Sequence, residues 1–413
     1  MRIPARRLAC TWLLSGLLIG ALGCQEQSDA PTAPGLDPAM AVSALAVTFS
    51  QVNAGGTHSC ALVADGRAFC WGSNSNGQLG DGTLTRRTTP VAVAGRLRFA
   101  QISAGARHTC AVTTDNRAYC WGDNGSGRLG EGGGVDRWTP TAVAGGRKFV
   151  NVRAGYNHTC AVTPAGAGFC WGSNGRGQLG SGPLSGTSSS GVPVRVARGL
   201  EWRRISAGGH FSCGVTTANV AYCWGSNING QLGTGTQTNH PKPAAVAGGL
   251  RFREISTGGG GFTDLQQTEI YEAHACGVTT DDKAYCWGWG GAVGDGTWDT
   301  RRSPTAVAGN RRWKQVVAGF VNTCGVTRAD VAFCWGGNYY GQIGNGTTSS
   351  SLSPARVAGD LRFLGVSVGV EGAHSCGRAT DQRTYCWGRN STGQLGDGTV
   401  ADRATPVAVA DPS

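Results

Sequence analysis

Fourteen cysteines fall into seven pairs, each ten positions apart: Cys60 with Cys70, Cys110 with Cys120, Cys160 with Cys170, Cys213 with Cys223, Cys276 with Cys286, Cys324 with Cys334 and Cys376 with Cys386. Ahead of five of them, two residues before the first cysteine, stands a histidine: His58, His108, His158, His274 and His374. Two chemistries fit. Thiols that face each other across an antiparallel hairpin oxidise to a disulfide, and positions 60 and 70 are symmetric about Asp65 in the turn-forming run Ala64-Asp65-Gly66. A His and a Cys two apart on one strand face could instead begin a zinc site. That reading lacks a third and fourth ligand. The sixth unit also has Asn322 at the His position, and the fourth has Phe211 with His210 shifted by one. Seven disulfides and no metal are therefore expected.

Other catalytic signatures are missing. The sequence contains no Gly-x-Ser-x-Gly, no phosphate-binding glycine-rich loop with lysine and no His-Glu-x-x-His. His240 is the one histidine outside the repeat, with no visible partner. The Asp of Asp-Gly-Thr (Asp81, Asp295, Asp397) is alone in its loop, whereas calcium needs six or more oxygens, so these aspartates are read as turn formers. A non-enzyme without cofactor is the expectation. A hydrolase or lyase with a loop-assembled site is the third-ranked alternative.

The elements that position the cysteines form one unit of about 50 residues, repeated seven times. Successive first cysteines are 50, 50, 53, 63, 48 and 52 residues apart. Each second cysteine is followed by Trp-Gly. Within a unit four short alternating runs are separated by turns, as in Thr141-Ala-Val-Ala, Phe149-Val-Asn-Val, His158-Thr-Cys-Ala-Val and Gly168-Phe-Cys-Trp-Gly. Four strands per unit, seven times, predict an all-β, seven-bladed β-propeller of four-stranded blades. The Pro-bearing run is joined by a short turn to the run after it, as in 93–99, and by a long loop to the run before it. It is therefore assigned to the next blade. The first unit lacks such a strand and the chain ends on an orphan copy at 405–410, so the N- and C-terminal strands are expected to share one blade and close the ring.

Composition agrees. Glycine is 69 of 413 residues, charged residues are 15% and apolar residues 40%, which excludes collagen and long disordered regions. Arg2, Arg6 and Arg7 precede an apolar run, 8–22, that reads as a secretory signal. The sequence Ala21-Leu22-Gly23-Cys24 resembles a bacterial lipoprotein signal, which implies acylation of Cys24. The expected organisation is a signal at 1–23, a flexible tether at 24–44 and the propeller at 45–413. The protein is then exported to the cell envelope and held at the membrane through its lipid. Formal charge is +11, or +8 without residues 1–23, and the basic residues are spread along the chain. Export and the lack of a basic run argue against nucleic acid.

The string Ala68-Phe-Cys-Trp-Gly-Ser-Asn-Ser-Asn-Gly-Gln-Leu-Gly-Asp-Gly-Thr83, which returns at 384–399, resembles the repeat of the regulator of chromosome condensation family. The resemblance covers all seven units and implies a seven-bladed propeller. It does not fix a function. The nuclear member's guanine-nucleotide exchange needs partners that an exported protein does not meet. The Trp motif of the family's ultraviolet-B photoreceptor is absent, with Ala106, Tyr156 and Gly209 at the corresponding positions. An exported bacterial member that grips a protein with its propeller face is the closer analogue.

Repeat residues read as scaffold, so candidate function lies where the repeat breaks. The largest break is a 13-residue insertion between Gly258 and His274, carrying Phe262, Asp264, Glu269, Ile270, Tyr271 and Glu272. Acids beside apolar anchors suit protein recognition. Off-pattern aromatics add Trp138, Trp289, Trp298, Tyr339 and Tyr340. A protein-binding module is the expected function, and an envelope-glycan binder is the alternative.

Overall fold

The computed structural model describes residues 47–182, 188–263, 269–370 and 372–412. Cys24 and the segments expected to be a signal and a tether lie outside them. The chain divides into two units, 1–45 and 46–413, of which the second is a ring of seven four-stranded antiparallel sheets. In the first blade the strands are Phe49–Ala54, His58–Val63, Ala68–Gly72 and Arg87–Ala92, paired in that order. The second and third strands of each blade place its two cysteines directly opposite each other. Every expected pair is bonded: Cys60 to Cys70, Cys110 to Cys120, Cys160 to Cys170, Cys213 to Cys223, Cys276 to Cys286, Cys324 to Cys334 and Cys376 to Cys386. Their Cα atoms are 4.0–4.1 Å apart, the close approach of a pair that shares no ladder hydrogen bonds.

The ring closes differently from the sequence expectation. The Pro-bearing strand Arg87–Ala92 is the outermost strand of its own blade, paired Phe69↔Ala92 and Gly72↔Arg87. The C-terminal strand Arg403–Ala408 likewise completes the last blade, with Tyr385↔Ala408. Every blade is a contiguous stretch of chain, and no blade is shared. The short stretch at 93–98 is a crossover from the outermost strand of one blade to the innermost strand of the next, not a hairpin turn. The long link at 73–86 leaves its blade, touches the neighbour and returns. Leu79 packs with Phe99, Ile102 and Trp121 of the second blade. The seam between first and last blades packs Phe49, Ala61 and Trp71 against Cys376, Cys386 and Leu395 and is crossed by hydrogen bonds such as Ala54 N–H to Ser367 Oγ at 3.0 Å.

Blade contacts repeat one design. All seven Trp of Cys-Trp-Gly are fully buried. Six donate Nε1–H to a backbone carbonyl of the preceding blade's long link, as in Trp121 to Gln78 O at 3.0 Å. Gly80, at φ 71°, lies flat on that ring, and a methyl group there would meet Trp121 Nε1 at 2.6 Å. The same carbonyl also accepts the Thr109 hydroxyl proton at 2.8 Å. With its one proton committed, Thr109 Oγ1 must accept from His58 Nε2–H of the first blade, at 2.8 Å. His108, His158, His274 and His374 make the same bond to Thr159, Ser212, Thr323 and Ser59 at 2.8–2.9 Å. The five histidines are thus neutral Nε2–H tautomers with Nδ1 buried and unpartnered. Burial holds His58, His158, His274 and His374 down to about pKa 3. Among the described residues no group of three His, Cys, Asp or Glu is placed to hold a metal ion.

Candidate functional site

Antiparallel order fixes which loops share an end of the ring. Turns between first and second strands, and the long links between third and fourth, emerge on one face, the long-link face. Turns between second and third strands, and the crossovers, emerge on the other, the crossover face.

The insertion is a turn between first and second strands, so it rises from the long-link face. It folds as a hairpin of Gly260–Thr263 and Glu269–Glu272, with Gly260↔Glu272 and Phe262↔Ile270 facing. Tyr271 lies opposite Gly261 and Glu269 opposite Thr263. Asp264 lies outside the described residues. At the base, burial pushes the Glu272 carboxyl above its usual range. A methyl group on Gly260 would stand 3.3 Å from Phe320 Cε2 and 3.8 Å from Tyr156 Cδ2. Those rings belong to the sixth and third blades, so the hairpin of the fifth blade starts over the mouth of the central channel. Tyr156 also packs edge-on to His210 of the fourth blade, centroids 5.6 Å apart.

The off-pattern aromatics reach the same face through the long links. Trp298 is 63% exposed and packs edge-on against Trp289 of the same link. In the next blade Tyr339 is 77% exposed, and Tyr340 lies under the Arg389 guanidinium of the seventh blade at 4.9 Å. Trp138, at the start of an outermost strand, is 47% exposed and covers Gly77 of the first blade. Leu84, Val135, Ile228 and Val400 are exposed in other long links. The structure therefore gathers the described candidate residues onto one end of the ring. Hairpin, Trp298, Tyr339 and Tyr340 occupy neighbouring blades five and six, with Trp138 on a separate arc.

Tyr156, His210 and Phe320 were not singled out from sequence as site residues. The signal was present: Tyr156 and Phe320 follow the Ala-Gly of the turn between first and second strands, where other units place Gly56 or Ala106, and His210 stands one position later.

The channel itself is lined by the innermost strands and encloses about 300 Å³. Polar side chains lace one blade to the next. Gln51 Oε1 and Nε2 bracket Ile102, and Gln101 brackets Val152, at 2.7–3.3 Å. Three charges interrupt this pattern: Arg153, Arg204 and Glu254. Arg204 and Glu254 pair at 3.7 Å. Burial, helped by Arg204 and opposed by Glu254, lowers Arg153 to about pKa 10. Burial raises the Glu254 carboxyl against the pull of Arg204 and Arg253.

The Asp-Gly-Thr aspartates have local partners. Asp81 accepts from Thr83 N and Oγ1 and pairs with Arg87 at 3.0 Å, while Asp295–Arg301 and Asp397–Arg403 repeat the arrangement. Among the described residues no helix is long and apolar enough to cross a membrane.

Comparison with known proteins agrees with this architecture. A family model described as the RCC1-like domain matches residues 18–320, and one described as the regulator of chromosome condensation (RCC1) repeat matches 330–376 and 381–413. The chain is 30% identical over 227 residues to the ultraviolet-B receptor UVR8 of Arabidopsis thaliana, an alignment covering 54% of this chain and 49% of the receptor. It thus spans about half the length of that relative. The structure of human WBSCR16 superposes with a TM-score of 0.70 at 20% identity, covering 83% of this chain and 94% of the other. Prp20p of Saccharomyces cerevisiae, whose structure is described together with its binding to Gsp1p and histones, gives a TM-score of 0.65 at 22% identity, covering 77% and 80%. With seven repeats, seven four-stranded blades and family models spanning most of its length, the chain belongs to the RCC1-like family of seven-bladed propellers.

Proposed function

We propose that the protein is a non-catalytic, protein-binding propeller, exported and anchored to the cell envelope by a lipid on Cys24, with residues 1–23 as its signal and 24–44 as its tether. The long-link face carries the partner site. The observation behind this reading is the convergence of exposed aromatics on that face, beside a hairpin holding acidic and apolar residues. Large aromatic side chains on a rigid frame are the usual anchors of protein interfaces. Prp20p, whose fold is similar, binds the proteins named with it, which supports a protein partner.

The test is capture from envelope extract with the intact chain, with Trp298→Ala/Tyr339→Ala/Tyr340→Ala, and with residues 259–272 deleted. One partner band, lost in both variants while their melting temperature is retained, is the expected result. The same band retained in both variants refutes the site. Binding on a glycan array, lost with the aromatics, would transfer the site to an envelope glycan. Palmitate labelling abolished by Cys24→Ser tests the anchor separately.

A further inference from the structure

The charges of the two faces differ in a way the linear sequence hides. The six crossovers, at 93–98, 143–150, 196–201, 246–251, 307–312 and 357–362, hold nine basic residues against two acidic ones. The hairpin turns on that face are nearly balanced, with five basic residues and six acidic. Among the described residues, the long links and the turns on the opposite face, including the inserted hairpin, hold five basic residues against ten acidic. With Asp411, which the C-terminal end adds to it, the crossover face is therefore +5 and the long-link face −5. Arg96, Arg98, Arg147, Lys148, Arg251 and Arg312 are all exposed. Among the described residues, Lys148 is the one crossover cation paired with a carboxylate, Asp115 at 3.5 Å. Arg147 and Arg311 stack over Phe169 and Phe333 at 4.9 and 4.3 Å, which restrains their guanidiniums at little further entropic cost.

We infer that the crossover face is a docking surface for anionic phospholipid headgroups. A ring of cations set by the crossovers matches a sheet of phosphates, since each cation adds attraction within a Debye length of the surface. The course of the chain favours a membrane over a soluble polyanion. The innermost strand begins at Phe49 on this face, and Val47 N donates to Asp411 Oδ1 at 3.1 Å, so both ends of the propeller lie here. A lipid at Cys24 would thus be tied to the propeller through the strand that begins on this face. The location rests on the anchoring proposed above, but the electrostatic contact does not, and the two can fail separately.

The experiment uses the exported chain carrying Cys24→Ser, so that no acyl chain contributes. Its partition onto vesicles of phosphatidylcholine, with and without about 30% phosphatidylglycerol, is measured by sedimentation at low and high salt. The expected result is binding to the anionic vesicles alone, lost at high salt. Binding falls at least about tenfold in Arg96→Glu/Arg98→Glu/Arg147→Glu/Lys148→Glu. It stays within about twofold in the control Arg86→Glu/Arg107→Glu/Lys242→Glu/Arg302→Glu on the other face. Unchanged melting temperatures show that both variants fold. Equal binding to neutral vesicles, or equal loss in the two variants, overturns the inference. So does capture of polyglutamate or DNA without capture of vesicles, which would assign the face to a soluble polyanion.

Discussion

The long-link face and the crossover face are made by the same seven units, yet they have taken different directions. Long links of about a dozen residues pack their Gln-Leu-Gly stretch on the neighbouring blade, as Gln78, Leu79 and Gly80 do, and expose others such as Leu84. They vary in shape and carry Trp298, Tyr339 and the acids. Crossovers are six to eight residues and must span a blade, so their backbone cannot vary much. They vary in charge instead. A repeat protein can thus separate shape recognition from electrostatic attraction by placing them at opposite ends of one scaffold.

The strongest way to break the comparison is to remove what holds both faces. Each disulfide closes an 11-residue loop and contributes roughly 2–3 kcal/mol. Full reduction should unfold the ring and abolish recognition at both ends, read as loss of the calorimetric transition. A melting temperature unchanged by reductant would show that the bridges are not needed.

Acid should act on one face first. The histidines start the second strands, beneath the long-link face. The folded pKa of about 3 of His58, His158, His274 and His374 lies below the ordinary 6.5, so their contribution to stability is intact above about pH 6.5. As pH falls, the unfolded chain takes up protons that the folded rings refuse until about pH 3. The cost is roughly 2 kcal/mol per histidine at pH 5. Hydrogen exchange should rise at pH 5 in the turns beside His58 and His274 before it rises in the crossovers. His158→Asn, which copies Asn322 of the sixth blade, should flatten the pH dependence. Uniform exchange across both faces would contradict this.

Smaller effects sharpen the contrast. Trp298→Ala and Tyr339→Ala should each weaken partner binding by about 1–2 kcal/mol while changing stability by less than ~0.5 kcal/mol, because both rings are solvent-exposed. Arg153→Ser restores the hydroxyl that Ser103 and Ser206 supply at that channel position. It should raise stability by about 1 kcal/mol in chemical denaturation and leave binding at both faces unaltered.

Sequence reasoning reached the strands and cysteine pairing because both are local: a two-residue period and a ten-residue symmetry need no tertiary knowledge. It misassigned the Pro-bearing strand because a six-residue crossover and a hairpin turn look alike in one dimension. It judged the arginines dispersed because Arg96, Arg147 and Arg312 are far apart along the chain. A period near 50 returns each of them to the same end of the ring. Phe320 was not singled out, and Tyr156 was read only as a departure from a Trp motif, because each replaces one small residue in a common turn and only the ring brings both to one channel mouth.

The seam between first and last blades has a mechanical meaning. It is built like the other six interfaces, including Trp71 Nε1 donating to Gln394 O at 2.9 Å, but no peptide crosses it. Under tension between the two ends, load falls on a single packed contact in series with covalent chain everywhere else. The ring should therefore open there as a C-shaped arc before any blade unravels. And since each blade is one uninterrupted stretch, duplicating about fifty residues would insert a complete blade without rewiring its neighbours.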